Sequence, residues 1–392
     1  MDKKMSAEVI LAGIGQTAVG EHWNVSLREL GFRAIQAAIQ DAGGLKPQAL
    51  FVGNMLAPAL SRQAHLGVLL ADFAGLTGIE AVCVEAAGAS GGAALRQGYL
   101  AVKSGLVDTA LVVGVEKFTD SIGPEIEAAL STGADSDFEA VHGTTSTAQA
   151  ALLARRYMHE HNLLPDCLAG FPLLAHANAA GNPNAMFRNA ISLEAYREAE
   201  MVSEPVNLLD IAPNADGAAA VLLTRRERLL VGHQHPLVCI AASAQASDRF
   251  ALHDRPDPLT FEAVRITIES ALKQAGISRK QIDFMEYHDA YSIYAALSLE
   301  SAGFAPRGKA WQMALDDRFS LGGRLPCATL GGLKARGNPG GASGVYQAVE
   351  AVLQLRSLAG ENQVKDACFG LIQSLGGPAS TVVTHIFSRT ES

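Results

Sequence analysis

The sequence predicts an α/β protein built from two homologous halves, roughly 1–230 and 231–392. Three observations lead there. A helical apolar period that stops at Ala-Gly and is followed closely by a β run occurs twice, as "LRELGFRAIQAAIQDAGGLKPQALFVGNM" (27–55) and "FEAVRITIESALKQAGISRKQIDFMEYHDA" (261–290). A Gly-rich turn, a helix and a strand also occur twice in the same order, at 88–117 and 337–377. Each half opens on a buried strand, "EVILAGIG" (8–15) and "HPLVCIAASA" (235–244).

In the first half the opening strand ends in a Gly turn, and the helix that follows stops at "DAG" before the strand "QALFVGNM" (48–55). The run "VEAAGASGGAALRQG" (84–98) sets small residues and a Gly pair before an amphipathic helix. Such a turn brings backbone N–H groups and one side chain close to a substrate. Residues 120–205 have no counterpart in the second half; they carry a helix over 147–161 and Asn-rich turns such as "HANAAGNPN" (176–184). An insertion of this size on an α/β core is expected to cover a ligand site. It rejoins the core at "PVNLLDIAPNADGAAAVLLT" (205–224), where Asp-Gly feeds a buried strand.

Composition narrows the function. A net charge of −9 with no basic cluster argues against nucleic acid as a partner. The five cysteines are scattered without a CxxC pair, which points to reduced thiols, a cytoplasmic location and no readable metal site. The N-terminal apolar run is too short for a signal peptide, and no run reaches the ~18 apolar residues of a membrane span.

Five stretches together resemble the thiolase superfamily, most closely its lipid-transfer or sterol-carrier type: "VEAAGASGGAAL" (84–95), "HANAAGNP" (176–183), "LLDIAPNADGAAAV" (208–221), "EYHDAYSI" (286–293) and "GGLKARGNPGGASG" (331–344). The resemblance covers essentially the whole chain. It implies the thiolase fold, with the two halves in a five-layer αβαβα arrangement, a homodimer and an acyl-CoA substrate. The pattern breaks at the chemistry. The family's nucleophilic Cys falls on Gly88, its "GHP" histidine falls on Asn338, and the C-terminal Gly-Gly turn reads "QSLGGPAS" (373–380), with Ser374 and Leu375 where many thiolases carry a Cys. Gly88 has no atom to hold an acyl group. Ser90, two residues on, has no visible base.

What remains is thioester enolate stabilisation, which needs donors and no covalent intermediate. Backbone donors of the 88–92 turn, Asn338, Gly377 and His142 of "EAVHGTTST" are the candidate oxyanion or substrate-binding groups. The candidate acids and bases are His288, Asp289, Tyr291 and Tyr294 of "YHDAYSIYAAL", with Tyr346 one turn into the helix after "GNPGGASGV". His176 and Asn178 read as structural, and Lys334 and Arg336 as solvated or facing CoA phosphates. Absence of the thiol together with clustered tyrosines resembles the thiolase-fold aldolases that shorten steroid side chains. That resemblance implies retro-aldol cleavage of a β-hydroxyacyl-CoA, no intrinsic cofactor, and a small OB-fold zinc-ribbon partner that carries the only zinc. The alternatives are a non-catalytic acyl-CoA-binding or scaffold subunit, and a Claisen-type acyltransferase that holds the acyl group elsewhere.

Overall fold

In the computed structural model, which describes residues 8–230 and 235–390, the two halves meet edge to edge in a nine-stranded sheet. The strands in chain order are β1 (Val9–Gln16), β2 (Ala49–Gly53), β3 (Glu80–Val84), β4 (Thr109–Glu116), β5 (Met201–Ser203), β6 (Val206–Asn207), β7 (Gly217–Arg225), β8 (Leu237–Ser247), β9 (Phe284–Glu286), β10 (Phe369–Gly376) and β11 (Thr381–Thr390). The sheet order is β3-β2-β4-β7-β1-β8-β11-β10-β9, while β5 and β6 form a separate ribbon. Outward from the join at Ile10 and Cys239, β1-β7-β4-β2 matches β8-β11-β10-β9, each run antiparallel, antiparallel and then parallel. The internal repeat is therefore visible in the hydrogen-bonding order itself.

Helices cover the outer face of each half of the sheet and fill the space between the two halves. Helix Leu27–Asp41 lies on the outer face of the first half; Ser26 caps it by accepting from Glu29 N, and Leu27, Leu30, Gly31, Ala34, Ile35 and Ala38 make its buried stripe. Helix Glu262–Ala275 does the same for the second half and stops at Gly276 in the left-handed conformation. Between the two halves of the sheet run Ser90–Ser104 and Ser343–Leu355, the latter buried almost all round as a middle layer requires. These are the five layers of the thiolase arrangement.

The two middle helices cross at their first turns, on glycine. A Cβ on Gly91 would stand 2.8 Å from Gly341 O, and one on Gly344 would overlap Gly92 N. Gly53 at the end of β2 is held as tightly against Gly91, its Cβ position 2.6 Å from Gly91 Cα. Both Gly-rich turns are thus explained by backbone packing on backbone.

The segment between β4 and β7 carries helices Gly123–Ser131, Ser146–His161, Gly170–Ala179 and Leu193–Glu198 and the β5–β6 ribbon. Tyr157 is fully buried and donates to Glu300 Oε1 at 2.6 Å, which ties the insertion to the second half. Asp216, at the Asp-Gly expected to feed β7, accepts from the backbone of His22, Phe118 and Thr119 and pairs with Lys117 at 3.2 Å. No helix among the described residues is long and apolar enough to cross a membrane.

Gly344→Ala is expected to lower the unfolding free energy by about 1–3 kcal/mol, the usual range for overpacking. Gly322→Ala, at a position with open space around it, should change it by less than about 0.5 kcal/mol. Denaturant titration of the two variants checks the difference.

Candidate active site

The loop after β3 folds back on itself before helix Ser90–Ser104. Ala87 takes the left-handed conformation (φ 49°), its N–H donates to Glu85 Oε1 at 2.6 Å, and its carbonyl accepts from Ser90 Oγ at 2.6 Å. Ser90 Oγ also accepts from Ala86 N at 2.9 Å, so its hydroxyl is spent inside the turn. Gly88 sits at the apex. A Cβ there would lie 2.7 Å from Leu375 O and 3.2–3.3 Å from the Cε1 and Nε2 atoms of His288. The space a nucleophilic side chain would need is occupied by a carbonyl oxygen and an imidazole.

His288 is buried, and burial, followed by the Arg336 charge, pushes its pKa down to about 3. The ring is neutral at physiological pH, with Nδ1 sealed from solvent and without a partner among the described residues. Asn338 approaches from the other repeat. Its Oδ1 accepts from Ser343 Oγ at 2.9 Å, which turns the Nδ2 donor to the remaining side, and both His288 and Asn338 line one pocket with Gly88. Two helix N-termini, a neutral imidazole and an amide therefore converge on a place where negative charge would be stabilised.

The pocket has a volume of about 120 Å³. Met55, Phe118, Leu130, Ile211 and Leu375 supply apolar walls, and Gly377 (φ 56°) and Pro378 close one end. Met55 is set by Glu116, a buried carboxylate that accepts from Met55 N, Leu56 N, Gly341 N and Asn54 Nδ2; burial pushes its pKa up to about 7 against those donors. Tyr291 and Tyr294 face the pocket, their rings packed edge to face at 5.1 Å. Tyr291 shares a 3.1 Å hydrogen bond with Thr147 Oγ1, and burial pushes its pKa up to about 12. The Tyr294 hydroxyl has no partner among the described residues, and burial raises its pKa well above the ordinary value, with the Tyr291 neighbour adding to it and Arg255 opposing.

Three expected site residues lie elsewhere. Tyr346 is fully buried outside the pocket: its hydroxyl donates to Thr17 O at 3.1 Å, its ring lies under the Arg336 guanidinium at 5.1 Å, and its position requires Gly217, where any Cβ would collide with it. It faces the first-half strands because the pocket side of its helix belongs to the turn that carries Asn338 and Gly340. Asp289 is equally buried behind the pocket, accepting from Leu333 N at 2.7 Å and pressed against Gly332, a structural tie for the segment leading to Asn338. His142 is exposed on a short turn of the insertion and does not line the pocket.

Lys334 and Arg336, expected to meet solvent or phosphates, are buried. Lys334 Nζ donates to Asp210 O at 2.6 Å, with burial pushing its pKa down to about 8, and Arg336 pairs with Glu350 at 2.8 Å. Asn178 and Asn182 act structurally, donating to the carbonyls of Cys327, Ala328 and Leu330 in the loop ahead of these cations. Glu127, Thr147 and Gln149 join the pocket from the insertion, and only the expectation that the insertion covers a site pointed toward them. Among the described residues, no group of three or more His, Cys, Asp or Glu is placed to hold a metal.

Comparison with known proteins identifies the family. Residues 9–227 match the family "Thiolase, N-terminal domain" and residues 244–389 match "Thiolase C-terminal domain-like". The chain is 41% identical over 384 residues to an acetyl-CoA acetyltransferase of Methanothermobacter thermautotrophicus, covering 97% of this chain and 100% of that one. It is 29% identical over 359 residues to a steroid side-chain-cleaving aldolase of Thermomonospora curvata, covering 87% and 89%. The solved structure of an Ltp2-ChsH2(DUF35) aldolase superposes with a TM-score of 0.83 at 24% identity over 99% of both chains. The chain belongs to the thiolase superfamily, whose enzymes act on CoA thioesters, and it has sterol-carrier and aldolase relatives within it.

Two outcomes test the site. Gly88→Cys is expected to lose about 1–3 kcal/mol of stability through overpacking and to show no acyl adduct by intact-protein mass spectrometry after incubation with acetyl-CoA. In ¹⁵N NMR, the His288 ring should keep neutral-imidazole shifts from pH 7 down to pH 5, because its pKa lies near 3, while an exposed histidine of ordinary pKa near 6.5 takes up its proton over that interval.

Proposed function

We propose that the protein cleaves a β-hydroxyacyl-CoA by a retro-aldol reaction, releasing a shorter acyl-CoA and a ketone or aldehyde. The observation that carries this reading is the combination at residue 88: no side chain and no room for one, in a pocket that still presents His288, Asn338 and the Tyr294 hydroxyl. Covalent acyl transfer has lost its atom, whereas oxyanion stabilisation and proton exchange have not.

In this reading the thioester oxygen is held by His288 Nε2–H, Asn338 Nδ2 and the helix N-termini. The β-hydroxyl lies at Tyr294. Its O–H proton passes to the Tyr294 oxygen as that phenol's own proton is released toward Cα, the Cα–Cβ bond breaks, and the electron pair moves into the thioester enolate, which the donors stabilise. Protonation of Cα then completes a transfer whose net result is one proton moved from oxygen to carbon. Tyr291, in ring contact with Tyr294, supplies the second phenol in place of the Tyr346 expected from the sequence. The steroid-cleaving relative makes a bulky acyl group the first choice of substrate. The solved aldolase is a complex with a DUF35 protein, which supports a small partner subunit for this chain. A homodimer fits the exposed edge strand β3, where Val82 is 49% exposed. A cytoplasmic location remains part of the proposal.

One observation favours a non-catalytic acyl-CoA-binding subunit instead: burial holds both pocket phenols above their ordinary pKa, so neither is a ready base. Product analysis separates the two. Incubation with a panel of β-hydroxyacyl-CoA esters, with and without the OB-fold partner, is expected to yield shortened acyl-CoA and a carbonyl product by mass spectrometry. Tyr294→Phe should lower kcat by about 10²–10⁴-fold. Tyr346→Phe should leave kcat within a few-fold and cost about 1 kcal/mol of stability, the worth of one hydrogen bond. Intact esters under all conditions, or a Tyr294→Phe variant that behaves as wild type, would sink the aldolase reading.

A further inference from the structure

The pocket has two polar ends. One is formed by Gly88, His288 and Asn338; the other lies on the wall made by helices Ser146–His161 and Ser292–Ser301, which pack together. At that second end stands Gln149. It lines the pocket and is only 4% exposed, and neither end of its amide has a hydrogen-bond partner among the described residues; Nε2 is sealed from solvent, so Oε1 is the end open to the pocket. Its neighbour Thr147 is already occupied by Tyr291. A buried amide oxygen without a donor is costly, and a hydroxyl bound in the pocket would supply that donor. Tyr294 presents a second unpaired polar group to the same pocket.

We propose that Gln149 is the specificity-determining residue for a hydroxyl substituent on the acyl chain, its Oε1 accepting the hydrogen of that hydroxyl while the thioester is held at Gly88, His288 and Asn338. The class selected is an acyl-CoA with a hydroxyl group a short distance from the thioester; an unsubstituted acyl chain leaves Oε1 unpaired. An apolar pocket wall alone discriminates weakly between a chain and its hydroxylated analogue, whereas a buried group built to pair with the oxygen discriminates strongly. The inference rests on the reading that the pocket receives an acyl-CoA, and it assigns to the insertion, which has no counterpart in the second half, the choice of acyl group.

The test is calorimetric titration of the full chain with a β-hydroxyacyl-CoA of branched β-carbon, with the matching ester that lacks the hydroxyl, and with free CoA. All arms share a Tyr294→Phe background so that the ester stays intact and the effect of that residue cancels. The hydroxy ester is expected to bind about 5–150-fold tighter than its deoxy analogue, the equivalent of about 1–3 kcal/mol. Adding Gln149→Leu should reduce that ratio to about two-fold or less and leave the deoxy ester's Kd within about two-fold. Gln149→Met, of similar length and volume, gives the same readout if the leucine variant does not fold. A preference that survives both substitutions, or no preference before them, overturns the proposal. Binding that discriminates without any cleavage by the wild-type chain rejects the aldolase reading alone, and cleavage with a ratio indifferent to residue 149 rejects this one alone.

Discussion

Everything at the site depends on how closely the two middle helices approach. Gly91 against Gly341, and Gly344 against Gly92, let the backbones touch where any side chain would hold them apart. That contact brings the two Gly-rich turns, one from each repeat, to a single place, so that Gly88 of one and Asn338 and Gly340 of the other line one pocket. Gly53 and Gly114 extend the same constraint into the sheet, packed against Gly91 and Ala342. The repeat gives the molecule its symmetry, but the glycine crossing is what makes one site from two halves.

Behind the pocket lies a second constraint, a set of buried charges. Arg336 is held by Glu350 and the Tyr346 ring, and Lys334 by Asp210 O, with Asp289 close to both cations. Burying this many ionisable groups is costly unless each is paired, and the pairing fixes the segment from 331 to 338 that delivers Asn338. The same cluster sets the chemistry in front of it: a guanidinium behind His288 adds to burial in disfavouring the imidazolium. His288 is thereby a neutral hydrogen-bond donor and a poor base. This arrangement suits a site that stabilises an oxyanion and leaves proton transfer to other groups.

Much of this was legible in the residues, for identifiable reasons. The repeat is legible because period and Gly stops recur in order, and the absence of a thiol at residue 88 because Gly88 and Asn338 fall inside recognisable Gly-rich turns. Tyr346 and Tyr294 look alike in sequence, each within a turn of a motif, and only the rotation of the two helices separates them: one hydroxyl is bound to Thr17, the other is open to the pocket. Lys334 and Arg336 carry no local sign of burial, since their partners Asp210, Glu350 and Tyr346 come from distant segments. Gln149 and Glu127 were hidden for another reason. They belong to the insertion, where no repeat partner exists to compare with, and an amide in an amphipathic helix is ordinary until its lack of a partner is seen.

The Leu375 carbonyl separates an accidental loss of the thiol from a settled one. A nucleophile removed by drift leaves a hole of its own shape, ready to be refilled by a single substitution. Here the position of the missing Cβ lies 2.7 Å from a backbone oxygen of β10, which cannot swing aside as a side chain would. Restoring a thiol therefore requires movement of the β10 end and of the Gly376–Gly377 turn that follows it, itself part of the pocket wall. His288 and Asn338 line the same pocket beside Gly88, so the groups at this place can hold a ligand by hydrogen bonds, while residue 88 itself has no atom with which to hold an acyl group by a bond.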